Sequence, residues 1–225
     1  MSNNQIRVVT IDGPSGSGKG TLSQMLARHL GFHLLDSGAL YRLVALASIK
    51  RHVDLAEEAL VAPIAQSLNV EFSVEGDSMR VLLDGENVTS AIRQEVISMG
   101  ASQVAAHPGV RDALLERQRV FARLPGLIAD GRDMGTAVFP DSTTKIFLTA
   151  SAEARAERRF NQLKAKGEAV EMENLIADIR ERDERDSKRA VSPLVPAADA
   201  TIIDSTHMSI EEVFASMLAL IKRNP

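Results

Sequence analysis

Short apolar runs and longer amphipathic stretches take turns along this chain, and their order predicts its architecture. Five runs, Ile6–Ile11, Phe32–Leu35, Leu127–Ala129, Lys145–Leu148 and Thr201–Ile203, have the length and continuity of strands buried on both faces. Helical patterns separate most of them. One starts near Lys19, one follows Asp36, and others cover about 56–68, 109–123, 151–166, 172–188 and 209–222, with a further one from near 98. Strands alternating with helices predict an α/β fold, a five-stranded parallel sheet with helices on both faces. Ser209 and Glu212 have the spacing of a capping box at the start of the last helix. Lys164 to Glu168 reads as a turn between two charged helices.

One region breaks the rhythm. Val70 to Val74 alternates apolar and polar residues, Glu75-Gly76-Asp77 follows as a turn, and Met79–Leu83 leads through Asp84-Gly85 into Glu86–Val88. Asp-Gly between apolar runs is a strong hairpin signal. The pattern predicts a small antiparallel insert, either a passive excursion or a flap over substrate.

Candidate chemistry gathers where the parallel strands end. Gly13-Pro14-Ser15-Gly16-Ser17-Gly18-Lys19-Gly20-Thr21 lies between a strand and a helix. Glycines let successive main-chain N–H groups face one concavity, and the helix N-terminus adds positive potential. Lys19 is placed to reach the β- and γ-phosphates of a nucleoside triphosphate. Thr21 is the first hydroxyl able to approach magnesium, because Gly20 stands where Ser or Thr more often follows the lysine. Asp130, at the end of the Leu127–Ala129 run, is the type of residue that supports such an ion. Arg132 and Asp133 then project from a glycine-flanked loop, while Asp36-Ser37-Gly38 forms a helix-cap arrangement with Arg42 one turn on. In the 172–188 helix, Leu175 and Ile179 begin a stripe that continues into Arg182, Asp186 and Arg189. That charged continuation is either a solvated helix end or a cluster gripping phosphate and hydroxyl groups. Arg155, Arg158 and Arg159 are further candidates for an anion.

Composition narrows the reading. The 225 residues are 44% apolar and 25% charged, with a formal net charge of −4, which offers nucleic acid no general attraction. One tyrosine and no tryptophan leave few stacking platforms, and the absence of cysteine excludes disulfides and thiolate chemistry. No apolar run is long enough to cross a membrane, and Met1 to Gln5 lacks the pattern of a secretion signal, so a cytoplasmic protein is expected. No Asn-Lys-x-Asp run is present to read guanine, and the arginines near strand ends favour a second, anionic substrate.

The Lys-Gly-Thr form of the loop resembles that of nucleoside monophosphate kinases. Leu34 to Arg42, Ala101 to Ala105, Ile128 to Thr136 and Arg182 to Ala190 narrow the likeness to bacterial-type cytidylate kinases, over a span from about Ile6 to the last helix. The resemblance implies a single P-loop kinase domain over 1–225, with an acceptor-binding insert at about 58–100 and a lid at about 155–188. It implies transfer of phosphate from ATP to CMP or dCMP, with magnesium, in a monomer. Gly13 to Thr21 and Arg158 would bind ATP, and Lys19, Arg132 and Arg182 would serve catalysis. Ser37, Arg42 and Arg132 would hold the acceptor phosphate, Arg182 and Asp186 the sugar side, and Ser102, Arg111, Asp133 and Arg189 the base. A kinase of another small acceptor, or a non-catalytic ATP-binding regulator, shares the loop and the sheet.

Overall fold

A computed structural model of the chain describes residues 6–75, 78–165 and 167–223. Met1 to Gln5, the Gly76-Asp77 part of the expected turn, and Lys166 lie outside the described residues.

The chain forms two compact units, one built from residues up to Asp36 and from Gln118 onward, the other from Ser37–Arg117. The first contains the five expected strands: β1 (Val8–Asp12), β2 (His33–Asp36), β6 (Leu127–Gly131), β7 (Thr144–Thr149) and β8 (Thr201–Asp204). Their order is β2-β6-β1-β7-β8, and every pairing is parallel. Each strand runs one or two residues beyond its apolar stretch, so Asp12, Asp36, Asp130 and Asp204 belong to the ladder itself. Backbone pairing continues past the point where side-chain polarity changes.

α1 (Lys19–Leu30) and α8 (Ile210–Arg223) pack on one face of this sheet, around Val9, Ile11, Leu26, Ile128, Ile146, Leu148 and Met217. On α8 the buried residues Val213, Met217 and Ile221 recur every fourth position, as a one-sided helix requires. Thr10 and Ala129, which alternate with that face, are also fully buried, so both surfaces of the central strands are covered. α1 ends at Gly31 in the left-handed region. Its N–H donates to Arg28, and that of Phe32 to Ala27, satisfying the last carbonyls of the helix. The predicted capping box is present: Ser209 N–H donates to Glu212 at 2.8 Å, and Glu212 N–H to Ser209 Oγ at 3.2 Å.

α6 (Ala152–Ala165) and α7 (Met172–Ser187) pair through Ala156, Leu163 and Leu175, with Phe160, Ile176 and Ile179 against them. Between β6 and β7 the chain makes a π-helical turn, Met134–Val138, which apolar periodicity does not reveal.

In the second unit, α2 (Ser37–Lys50) is buried along most of its length and packs on α4 (Glu95–Val104). Gly100 permits the approach, since a Cβ there would fall 2.8 Å from Leu55 Cδ1 and 3.4 Å from Ala45 Cβ. α3 (Glu58–Gln66) precedes an antiparallel sheet of β3 (Val70–Glu75), β4 (Ser78–Leu83) and β5 (Glu86–Asn87). Asp84 and Gly85 both have positive φ, at 50° and 82°, the conformation that an Asp-Gly hairpin turn needs. α5 (Pro108–Arg119) ends earlier than its pattern suggests. The chain turns through Phe121 and Ala122 instead, ahead of Pro125, which disfavours helix at the residue before it.

Candidate active site

In the first unit the site begins with the backbone of the loop between β1 and α1. Gly13, Gly16 and Gly18 have φ of 149°, 76° and 94°, which other residues adopt only under strain. At Gly13 space is lacking too, because a Cβ would lie 2.0 Å from the Leu148 carbonyl oxygen. Gly18 caps α1 with no side-chain hydrogen bond, so the helix N-terminus is not closed by its own cap.

Lys19 is buried at the head of α1, and its Nζ donates to the Pro14 carbonyl at 2.8 Å. Burial pushes its pKa down to about 7, and the positive charge of Arg132 pushes in the same direction; Asp130 and Asp12 oppose, and Arg182 adds to the lowering. The charges of Asp12, Asp130, Arg132 and Arg182 thus all act on Lys19. An anion entering this cluster of charges would meet a lysine, two arginines and the open N-terminus of α1.

Asp12 supports this cluster in a way the sequence pattern does not disclose. Its two carboxylate oxygens accept the N–H groups of Met134 and Gly135, both at 2.8 Å. The π-helical turn is thereby fixed to the end of β1, directly after Arg132 and Asp133. Burial outweighs these two bonds and raises the Asp12 pKa to about 7.

Arg132 Nε donates to Asp186 Oδ2 at 3.2 Å, joining the turn after β6 to α7. Asp186 is buried and Arg182 half-buried, so the charged continuation of the α7 stripe is not a solvated helix end. Arg189 is buried as well, beyond the end of α7, where it donates to the Ser192 carbonyl at 2.7 Å. Asp133 is also buried. Thr21 is exposed on the first turn of α1. Asp130 lies against Gly20, where an added Cβ would be 3.6 Å from its Oδ2.

The three α6 arginines separate in role. Arg158 Nη1 donates to the Ser17 carbonyl and to Ser205 Oγ, each at 3.3 Å. Arg155 is buried and turns entirely to protein groups, among them the Ser15 carbonyl and Asp183. Arg159 is half-buried.

The second unit carries the remaining candidates. Ser37 is buried at the start of α2, with Arg42 half-buried five residues on, and Ser102 is buried on α4. Arg111 of α5 donates to the Ala105 carbonyl at 3.1 Å, and its guanidinium lies 5.5 Å from the centre of the Tyr41 ring.

A family model for cytidylate kinase matches residues 9–223, nearly the whole chain. The chain belongs to the cytidylate kinase family. Among its relatives, a cytidylate kinase of Aeromonas salmonicida is 58% identical over 212 residues, covering 94% of this chain and 92% of that one. A cytidylate kinase of Photobacterium profundum is 56% identical over 216 residues, covering 96% and 95%. Among solved structures, a shikimate kinase from Acinetobacter baumannii covers 98% of this chain and 96% of its own, at 18% identity and a TM-score of 0.45. The cytidylate kinase match spans both units, including every candidate site residue from Gly13 to Arg189.

Proposed function

We propose that this chain transfers the γ-phosphoryl group of ATP to CMP and dCMP, releasing ADP and the nucleoside diphosphate. The observation carrying this reading is Lys19, buried at the head of a glycine loop where the charges of Arg132 and Arg182 reach it, in a chain of the cytidylate kinase family. Such a cluster suits a reaction that transfers a phosphoryl group between two anions and needs little covalent help from protein.

An oxygen of the acceptor phosphate attacks the γ-phosphorus, and the bond to the bridging oxygen of ADP breaks. That acceptor oxygen is already largely ionised at neutral pH, so no general base is needed. The amides of Gly13 to Thr21 hold the donor phosphates. Lys19 follows charge onto the bridge, and Arg132 and Arg182 neutralise the transferring group. Arg158 joins the loop amides in binding ATP, beside the Ser17 carbonyl to which it donates. Ser37, Arg42 and Arg132 receive the acceptor phosphate, and Arg182 and Asp186 the sugar side. Ser102, Arg111, Asp133 and Arg189 receive the base. A carboxylate for the amino group of cytosine and an arginine for its acceptors would leave uracil mismatched.

Among the described residues no group of three or more His, Cys, Asp or Glu could hold a metal ion. Asp130 and the Thr21 hydroxyl offer hard oxygen donors, which fit magnesium held mainly by phosphates and water. When bound, the ion neutralises charge on the phosphates. The segments at about 58–100 and 155–188 are proposed to serve as acceptor-binding insert and lid, in a cytoplasmic monomer that binds no nucleic acid. No helix among the described residues is long and apolar enough to cross a membrane.

A panel of nucleoside monophosphates, scored for ADP release, tests the reading. CMP and dCMP should be the strongest acceptors and UMP much weaker. ADP release with none of the panel would overturn it.

A further inference from the structure

A glycine loop binds phosphate only while its peptide groups keep their N–H sides inward, and glycines do little to prevent a peptide from turning. In a trans peptide the carbonyl and N–H point in opposite directions. A donor that holds the carbonyl on the outside therefore fixes the next N–H on the inside. Two α6 side chains make such contacts. Arg155 Nη1 donates to the Ser15 carbonyl at 3.0 Å, and Arg158 Nη1 to that of Ser17 at 3.3 Å. The N–H groups paired with those carbonyls are those of Gly16 and Gly18, the two left-handed glycines of the loop.

Arg155 is the more rigidly held. Its Nε donates to the Ala150 carbonyl at 3.0 Å, and its Nη1 and Nη2 both donate to Asp183 of α7, the first at 3.0 Å. Its Cβ is 3.3 Å from where a Cβ on Gly16 would be, so the arginine stem lies along the loop. The guanidinium is almost wholly buried, whereas Asp183 keeps 30% of its side-chain surface exposed. A planar fork gripped at both tips cannot rotate without breaking two charge-assisted bonds.

We propose that Arg155, clamped by Asp183, is a positioning residue that locks the Ser15–Gly16 peptide with its N–H toward ATP, making donor affinity depend on an ion pair outside the donor site. The proposal rests on the ATP-binding reading of the loop. It also makes α7, which carries Arg182 and Asp186, mechanically continuous with the donor cradle through Asp183.

Steady-state kinetics of Asp183→Asn, with ATP and CMP varied in turn, provide the test, together with the calorimetric Kd for ATP. The KM and Kd for ATP should rise together by about tenfold, the scale of one charge-assisted hydrogen bond, while the KM for CMP stays within about twofold. Arg155→Lys should give the same split, and the double variant should be no worse than the more impaired single one, because both remove one interaction. A folded Asp183→Asn with unchanged ATP affinity, or with both KM values raised equally, would overturn the proposal. Loss of folding in Asp183→Asn would overturn it as well, because it would make the pair a prop of the fold. The ATP Kd is read without acceptor, so failure of CMP as a substrate would count against the functional reading and leave this test standing.

Discussion

Two glycine-bearing loops leave adjacent strands of the sheet at the same level, since Asp12 of β1 pairs with Gly131 of β6, yet they are built on opposite principles. In the loop after β1 the glycines at 13, 16 and 18 are needed for their backbone conformation, and the amides are proposed to hold the donor phosphates. In the turn after β6, Gly131 and Gly135 are needed for space: a Cβ would fall 2.8 Å from the Met134 side chain at the first and 2.9 Å from Thr10 Oγ1 at the second. The Met134 and Gly135 amides of that turn are occupied by Asp12. Two of its amides are therefore closed to a ligand, and the proposed substrate contacts of this turn are the side chains of Arg132 and Asp133. Main-chain recognition suits a phosphate chain that every ATP shares. Recognition by side chains on an anchored turn suits an acceptor that must be told apart from its relatives.

The largest break in this comparison is expected from Lys19→Met. It leaves the amide cradle but removes the charge proposed to act on the transferring phosphate, so kcat should fall by about 10³ with a smaller change in KM for ATP. A variant that folds and turns over normally would detach the lysine from the mechanism.

Asp12→Ala attacks the other loop. Two buried N–H groups lose their acceptor, at about 1–3 kcal/mol each, and relief of the burial penalty on the carboxylate offsets part of that. A net loss of about 2 kcal/mol would lower Tm by several degrees. Selectivity for CMP over UMP should drop more than affinity for ATP, because the turn that carries Asp133 is released while the glycine loop keeps its own geometry. Unchanged selectivity would separate Asp12 from acceptor recognition.

The smallest effect concerns protons. Lys19 is held at about 7, so at about pH 8 much of it is neutral. Bound polyphosphate favours the ammonium and raises its pKa again, which requires proton uptake. ATP affinity should therefore weaken as pH rises from about 7 toward the usual lysine range. Binding heats measured in buffers of different ionisation enthalpy should reveal a fraction of a proton taken up at about pH 8 and almost none at about pH 6. No buffer dependence at the higher pH would refute the displaced lysine.

What could be read from sequence was what neighbouring residues decide. The five strands, the Asp84-Gly85 turn and the Ser209–Glu212 cap depend on residues within a few positions of each other, and all are present. The π-helical turn depends on Asp12, more than a hundred residues earlier, and no local pattern announces it. Arg155 was recognisable only as one of three nearby arginines. Its partners are 140 and 28 residues away, and they separate it from Arg158. The charged end of the α7 stripe was ambiguous from spacing alone. Burial of Asp186 against Arg132 resolves it, because a carboxylate withdrawn from water needs a cation beside it.

The stacking of Arg111 on Tyr41 gives the molecule an intrinsic optical probe. With no tryptophan to mask it, emission excited beyond the phenylalanine band comes from a single phenol beside a guanidinium proposed to receive the base. Any event that moves that cation off the ring would change the fluorescence of the unlabelled wild-type protein, so occupancy could be followed in stopped flow without introducing a dye.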